Sequence, residues 1–288
     1  MDRRTIRVDG VDRPYWLAAP ATRPAVLLVV LHGTGIPAVG MAEWTGLARR
    51  GPEAGFAAVF PEAGKEQWDD FGNGRLDGSD DARFIQELIS RLVADGIADP
   101  RRTVLIGLSN GAFFAERLAR TGVITAASLV LVAGTARKTS REARPRPAGK
   151  MPVLMVEGTA DPLVPFDGGI PHGPLTVFAR RRSRRVLVNP GDRAVVAAET
   201  IAADWAAANG ITALRIVEAL GEISHGVRVE RITWRQRESF PVVLYRIEGG
   251  GHGWPGGPQY LPALLIGRVP RDLDATGILV DFVGHNLR

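Results

Sequence analysis

The strongest constraint on the fold is a serine between two glycines, placed where an apolar segment meets an amphipathic one. The segment VLIGLSNGAFFAERLA, residues 104–119, reads as a buried strand that ends in Gly-x-Ser-x-Gly and continues at once as a helix. Side chains flanking so tight a turn would clash, and glycines remove those clashes. The pattern therefore predicts that Ser109 stands above a sheet edge at a helix N-terminus, where free N–H groups favour negative charge.

Strands and helices alternate along the rest of the chain. The first strands, residues 5–8 and 15–18, form a predicted hairpin around the turn Asp9-Gly10. Continuous apolar runs then predict strands that are buried on both faces, with helical patterns between them. The predicted helices cover residues 41–50, 81–97, 110–121, 192–210 and 274–287, and the later strands cover residues 227–234 and 241–248. The pattern predicts one α/β domain over residues 1–288, a mostly parallel central sheet with helices on both faces and an N-terminal antiparallel hairpin.

Composition narrows the classes of function. The chain has 288 residues, 45% of them hydrophobic, and no cysteine, so disulfide and thiolate chemistry are excluded. The net charge of +5 and the run ARRRSRR at residues 179–185 are interpreted as a solvated surface, since no aromatic residues interleave as in nucleic-acid sites. No apolar run is long enough to span a membrane. The start of the sequence has no signal-peptide pattern, so we expect a cytoplasmic protein, or a secreted one if a signal was removed.

A serine needs a base to become a good nucleophile. Residues 107–111 fit the nucleophile elbow of α/β-hydrolases, which predicts an acid and then a histidine downstream. His252 follows the predicted strand at residues 241–248 in a glycine-rich loop, which is where a catalytic histidine belongs. The other four precede the serine, fall in irregular segments or lie in the last predicted helix: His32, His172, His225 and His285.

The acid is expected one loop earlier than the histidine. Asp161 directly follows the strand PVLMVEG, so Ser109, Asp161 and His252 each come just after a separate strand. Four competitors fit less well: Asp167 and Asp192 lie farther from a strand end, Asp274 follows the histidine and is typical of a helix cap, and Glu157 is interpreted as structural.

An oxyanion formed during ester cleavage needs hydrogen-bond donors. The elbow supplies the N–H of Asn110, and the loop LHGTG after an early strand predicts the N–H of Thr34 as the second donor, with its hydroxyl as an optional third. A simple glycine turn is the alternative for that loop. Trp254, two residues past His252, is expected to line the leaving-group or acyl pocket, with ordinary loop packing as the alternative, and Trp68 is expected to reach the cleft from its own loop.

With these residues identified, the sequence resembles the esterase family that contains poly(3-hydroxybutyrate) depolymerases, feruloyl esterases and acetylxylan esterases. The resemblance covers almost the whole chain and rests on six segments: LHGTG, GSDDARFIQELI, DPRRTVLIGLSNGAFFAERLA, VEGTADPLVPFDGG, IEGGGHGWPGG and DATGILVDF. It implies an α/β-hydrolase fold, no metal or organic cofactor, and the same triad of Ser109, Asp161 and His252. The chain departs from the family in lacking the signal and cysteines of many members, and in carrying Ala112 where another glycine is common.

Two other classes of function compete with a serine esterase. Residues 33–38 fit G-x-G-x-x-[G/A] after a buried strand and Glu62 ends the next strand, as in a dinucleotide-binding oxidoreductase, although Pro37 would have to fit inside the phosphate turn. A binding protein that keeps the fold without catalysis is the second alternative. No H-E-x-x-H or paired-histidine pattern predicts a metal site. The expected partner is a small-molecule or polymeric ester, with no nucleic acid and no membrane span, and nothing in the sequence indicates the oligomeric state.

Overall fold

A ten-stranded sheet runs through the centre of the protein. The structure is a computed structural model that describes residues 1–70, 80–138, 145–174, 194–224 and 226–287. Its strands are β1 (Asp2–Val8), β2 (Val11–Ala18), β3 (Ala25–Leu31), β4 (Phe56–Pro61), β5 (Ala98–Leu108), β6 (Ser128–Val132), β7 (Val153–Gly158), β8 (Ile216–Ser224), β9 (Val227–Trp234) and β10 (Val242–Glu248). Their order across the sheet is β1-β2-β4-β3-β5-β6-β7-β10-β9-β8.

The centre of the sheet is parallel and both edges are antiparallel. Strands β4, β3, β5, β6, β7 and β10 run side by side in one direction, whereas β1–β2 and β8–β9 are hairpins added at the two ends. Every residue of β3 is buried, as its continuous apolar sequence predicts for a strand covered on both faces. The turn between β1 and β2 has positive φ at both Asp9 and Gly10, as the Asp-Gly signal predicts. The predicted sheet and its N-terminal hairpin are therefore confirmed.

Seven helices of the described residues pack around this sheet. They are α1 (Ala38–Thr45), α2 (Leu47–Glu53), α3 (Asp81–Ala94), α4 (Asn110–Arg120), α5 (Ala198–Ala208), α6 (Ala263–Ile266) and α7 (Ala275–Leu287). Buried side chains of α3, α4 and α5 form the apolar layer on one face, and those of α1, α2 and α7 form the layer on the other. Among the described helices, none has the length and apolar character needed to cross a bilayer.

Several predicted elements differ from those in the structure. The helix predicted at residues 41–50 is two helices, because Gly46 between α1 and α2 has φ of +62° and breaks the helical path. The helix predicted at residues 192–210 is α5, which begins only at Ala198. Strand β8 was not predicted, since it lies at the outer edge with exposed residues on both sides and lacks a buried alternate face. The basic run at residues 179–185 lies outside the described residues.

The parallel arrangement brings the four loops that carry the candidate residues to the same edge of the sheet. Because the carboxyl ends of parallel strands meet at one edge, the loops after β3, β5, β7 and β10 lie there together. These loops carry Thr34, Ser109, Asp161 and His252 respectively. The chain thus gathers residues far apart in sequence at the place where open α/β sheets bind ligands.

Candidate active site

Ser109 occupies a sharp turn between β5 and α4. Its backbone has φ of 54° and ψ of −118°, a strained conformation for a residue with a side chain. A Cβ on Gly107 would lie 2.3 Å from the carbonyl carbon of Gly111, and a Cβ on Gly111 would lie 2.3 Å from the carbonyl oxygen of Leu31. Both glycines are therefore required by close backbone contacts, which is the reason the sequence pattern has glycine on each side of the serine.

A continuous chain of hydrogen bonds joins the three residues predicted as a triad. The Nε2 atom of His252 lies 2.9 Å from the Oγ atom of Ser109, and its Nδ1 atom lies 2.7 Å from an Oδ atom of Asp161. Asp161 and His252 are buried. The second Oδ atom of Asp161 accepts the backbone N–H groups of Leu163 and Val164, both at 2.8 Å. These contacts fix the carboxylate, which in turn fixes the orientation of the imidazole.

The competing acids have other surroundings. Asp274 lies at the start of α7, where an Oδ atom accepts the N–H of Gly277 at 2.9 Å and the carboxylate pairs with Arg50. The hydrogen bond from Arg50 lowers the pKa of Asp274, as expected for a partly exposed cap. Asp167 is exposed on the surface, and Asp192 lies outside the described residues.

Of the other histidines that the structure describes, His32 is the one close to the site. It is fully buried at the end of β3, where its Nε2 atom accepts the N–H of Ala63 at 3.0 Å and its Nδ1 atom lies 2.8 Å from the carbonyl oxygen of Gly33. This arrangement fits a neutral ring that donates from Nδ1, and burial lowers the pKa of His32. His172 and His285 are exposed, and His225 lies outside the described residues.

The loop LHGTG lies directly against the elbow. A Cβ on Gly33 would be 3.4 Å from the Cβ atom of Ser109, so the two turns are in contact. Thr34 is exposed at the next position, and its backbone N–H has no hydrogen-bond partner in the part of the chain that the structure describes. The same holds, within those residues, for the backbone N–H of Asn110. Glu62, the acid of the dinucleotide alternative, instead accepts the N–H of Ala38 at 2.9 Å and so caps α1.

The side chain of Asn110 has a role that the sequence did not indicate. Its Oδ1 atom accepts the backbone N–H of Trp68 at 2.7 Å, and its Nδ2 atom donates to the carbonyl oxygen of Trp68 at 3.2 Å. The indole of Trp68 is buried, stacks on Phe114 and donates to the carbonyl oxygen of His32 at 3.0 Å. The structure thus corrects the expectation that Trp68 reaches the cleft. Its ring is buried against Phe114 of α4 and the backbone of His32.

Trp254 is also placed in the core. Its side chain is 1% exposed and packs in the apolar layer of α1, α2 and α7. The indole N–H donates to the hydroxyl of Thr276 at 3.0 Å, and that hydroxyl donates to the carbonyl oxygen of Thr45 at 2.6 Å. The ring of Trp254 is covered and its N–H is hydrogen-bonded, so the residue packs in the core as the alternative predicted. The expectation that it lines the substrate pocket is corrected.

Glu157 is a buried carboxyl group close to both the elbow and Asp161. One carboxyl oxygen accepts the N–H of Gly134 at 3.2 Å. A Cβ on Gly134 would be 2.7 Å from the carbonyl oxygen of Ser109, so this glycine packs on the elbow. Burial, reinforced by the charge of Asp161, raises the pKa of Glu157 well above its ordinary value. The neighbouring Arg246 on β10 does not neutralise it, because that guanidinium pairs with Glu230 at 2.8 Å.

Glu157→Gln is expected to stabilise the protein at neutral and alkaline pH. The raised pKa means that the folded state holds a proton that the unfolded chain releases above its ordinary carboxyl pKa, so stability falls as pH rises from there. Glutamine keeps an acceptor for Gly134 and carries no proton to lose. Chemical denaturation should give an unfolding free energy that exceeds the parent's by more than the ordinary scatter of about 0.5 kcal/mol at pH 8. The gain should vanish at pH 4, and an equal gain at both pH values would contradict this origin.

Comparisons with known proteins bear on the fold and on the family. No protein-family model matches the chain. The curated protein "Putative esterase NocK" of Nocardia uniformis subsp. tsuyamanensis is 33% identical over 291 residues, which covers 97% of this chain and 81% of that protein. An acetyl xylan esterase from Aspergillus awamori has a similar structure, with a TM-score of 0.55 and 13% identity over 85% of this chain and 93% of that one. A thermostable esterase matches 57% of this chain and 48% of its own, with a TM-score of 0.46 and 20% identity.

The Nocardia relative and the Aspergillus structure support different conclusions. The Aspergillus structure supports the fold, because it spans nearly the whole of both chains at low identity. The Nocardia relative supports the family, because its identity is high enough and its coverage of both chains is nearly complete. The structural match and the strand order show the α/β-hydrolase fold, and the Nocardia relative shows the esterase family. The chain therefore belongs to the esterases of the α/β-hydrolase type.

Proposed function

We propose that this esterase is a serine hydrolase with Ser109 as nucleophile, His252 as general base and Asp161 as the acid that orients it. The observation that carries the proposal is the chain of hydrogen bonds from Ser109 through His252 to Asp161, at 2.9 and 2.7 Å. Serine, histidine and acid at such distances are the arrangement that activates a hydroxyl for attack on an acyl carbon. We propose further that residues 1–288 act as one catalytic domain.

In the proposed reaction, the Oγ atom of Ser109 attacks the ester carbonyl while Nε2 of His252 takes the hydroxyl proton. His252 then gives that proton to the leaving alcohol, and an acyl-enzyme remains on Ser109. Water attacks the acyl carbon in the second half, with His252 again acting first as base and then as acid. Asp161 keeps the proton on Nδ1 and stabilises the imidazolium that forms in each half. The chemistry uses protein groups and water alone.

We propose that the backbone N–H groups of Thr34 and Asn110 donate hydrogen bonds to the oxyanion of each tetrahedral intermediate. Two observations support this: neither N–H has a protein partner among the described residues, and the Thr34 loop contacts the elbow. Donors that are fixed before the reaction stabilise a developing charge without reorganisation. The side chain of Asn110 contributes indirectly, because its two hydrogen bonds to Trp68 hold the first turn of α4 in place.

The proposed substrates are polyhydroxyalkanoate-type, feruloyl or acetyl esters. The sequence resembles a family in which these activities occur, and the fold is shared with an acetyl xylan esterase. The loops beyond β4, β6 and β7 begin at the same sheet edge as the candidate site, and parts of them lie outside the described residues. The class of substrate thus rests on resemblance, and the reaction type rests on the hydrogen-bond chain.

The purified protein is expected to hydrolyse p-nitrophenyl butyrate and to be labelled on Ser109 by a fluorophosphonate probe. The probe reacts with an activated serine, so locating the labelled residue by peptide mass spectrometry tests whether Ser109 is the nucleophile. A hydrolysis panel of 3-hydroxybutyrate oligomers, methyl ferulate and acetylated xylan then separates the three substrate classes. Label on another serine, or hydrolysis without any label, would overturn the proposed mechanism.

A further inference from the structure

The turn after β6 packs directly on the elbow. The N–H of Ser109 donates to the carbonyl oxygen of Val132, the last residue of β6, at 3.0 Å. Gly134 is buried, and a Cβ there would lie 2.6 Å from the Cβ atom of Ala112, 2.7 Å from the carbonyl oxygen of Ser109 and 3.3 Å from its Cα atom. The strained backbone of Ser109, with φ of 54°, is therefore supported by residues 132–134.

This turn is itself strained and is held by β7. Ala133 has φ of 45°, a conformation that residues with a side chain rarely adopt. Its N–H donates to the carbonyl oxygen of Val156 at 3.1 Å, and the N–H of Gly134 donates to the carboxyl group of Glu157 at 3.2 Å. Glu157 thus supplies, through its side chain, a hydrogen bond that fixes the turn to β7.

The carboxyl group of Glu157 is suited to this contact as a neutral group. Its side chain is buried, and among the described residues no basic side chain forms an ion pair with it. Burial, together with the charge of Asp161, keeps the pKa of Glu157 well above its ordinary value and so favours the protonated form. A protonated carboxyl group can accept the N–H of Gly134 without adding a second negative charge near Asp161.

We propose that Glu157 is a positioning residue for Ser109 that acts through the turn at residues 133–134. The proposal rests on the proposed serine hydrolase function and adds a residue that acts on the nucleophile through the backbone. The direction of the Oγ atom follows the backbone of Ser109, so a displaced turn would move Oγ relative to the Nε2 atom of His252 and to the ester carbon. A shift of about 1 Å in a reacting group can cost about a hundredfold in rate, even when its cause lies elsewhere.

Glutamine and methionine at position 157 test the proposal, because their side chains have similar length and differ in the acceptor that they offer. Glu157→Gln keeps an oxygen for the N–H of Gly134 and is expected to hold kcat within about threefold of the parent. Glu157→Met offers only a thioether sulfur, a weak acceptor, and is expected to lower kcat by about ten- to hundredfold while KM changes little.

The rate constant for fluorophosphonate labelling of Ser109 should fall in Glu157→Met by a similar factor. This measurement reports on the nucleophile without a contribution from product release. Both kcat and the labelling rate are normalised to the amount of Ser109 that is labelled at completion, so unfolded protein does not contribute to either.

Asn209 provides a matched control at the other end of β7. Its side chain is buried, and its Oδ1 atom accepts the N–H of Met151, two residues before the strand begins, at 3.0 Å. Asn209→Leu therefore removes a buried acceptor at the sheet edge away from the catalytic loops. It should lower the thermal denaturation midpoint and leave the normalised kcat within a few-fold of the parent. A purely structural role for Glu157 predicts that same result for Glu157→Met.

Gly134→Ala disturbs the turn from its other side while Glu157 stays in place. Because the added Cβ would lie 2.7 Å from the carbonyl oxygen of Ser109, the turn must shift and the normalised kcat should fall here as well. An unchanged normalised kcat in Glu157→Met or in Gly134→Ala, or an equal loss in Asn209→Leu, would overturn the positioning role. Absence of label on Ser109 in the parent would instead refute the proposed function.

Discussion

Replacing His252 with alanine is expected to lower kcat for p-nitrophenyl butyrate by about 10⁴-fold or more. Among the described residues, the imidazole of His252 is the group hydrogen-bonded to the Ser109 hydroxyl, at 2.9 Å, so its removal is expected to leave the serine without a base. Ser109→Ala is expected to have an effect of similar size. Because the residues act as a unit, the double variant should be no worse than either single variant. Pre-steady-state kinetics with active-site titration measures these losses above the background of contaminating esterases.

A loss of only a few-fold in His252→Ala would contradict the assignment. His32 does not offer an alternative, since both of its ring nitrogens are occupied by the backbone of Gly33 and Ala63. Addition of imidazole to His252→Ala provides a further check. Partial recovery of activity would show that the missing function is proton transfer rather than folding.

Asp161→Asn is expected to lower kcat by up to about 10⁴-fold while KM changes little. When the N–H₂ group of the asparagine faces the ring, it cannot accept the hydrogen bond that Nδ1–H of His252 donates to the carboxylate of Asp161. It therefore favours the tautomer with the proton on Nε2, which cannot take a proton from Ser109. The hydrogen bonds from Leu163 and Val164 to the other oxygen are retained by asparagine, so the loop should keep its conformation. A thermal denaturation midpoint close to that of the parent would show that the variant keeps its fold.

Asp274→Asn is the matched control for the acid. It makes the same chemical change at the residue that caps α7, where asparagine is also a good cap. The variant loses an ion pair with Arg50 that is partly exposed, which costs at most about 1 kcal/mol. Activity should stay within a few-fold of the parent. A larger loss in Asp274→Asn than in Asp161→Asn would show that the acid was assigned wrongly.

The sequence contained enough to predict the sheet and to select the residues that are proposed for the site. Continuous apolar runs such as β3 predict doubly covered strands, and a parallel sheet then places the ends of β5, β7 and β10 at one edge. Ser109, Asp161 and His252 could be chosen because each directly follows such a strand. Their separation in sequence did not matter, since the topology alone brings them together.

Features that depend on packing between distant segments could not be predicted in this way. Trp68 and Trp254 sit in loops beside the site, yet their rings turn inward because the indole N–H groups find partners at His32 and Thr276. Glu157 lies near the end of an apolar strand, and nothing local shows that its carboxyl group accepts the N–H of Gly134, which follows the neighbouring strand β6. The edge strand β8 has no buried face and therefore no periodic signal.

The two hydrogen bonds between the side chain of Asn110 and the backbone of Trp68 constrain how this protein can diversify. A new substrate preference usually arises through insertions and exchanges in the loops around a fixed scaffold. Here the loop after β4 is hydrogen-bonded to the side chain of Asn110, whose backbone N–H is a proposed oxyanion donor, so a change that shifts Trp68 is expected to shift that donor as well. Substitutions in that loop are therefore expected to change the rate of ester hydrolysis as well as the preference for a substrate. Laboratory libraries that hold Trp68 and Asn110 fixed together would explore new substrates with fewer inactive members.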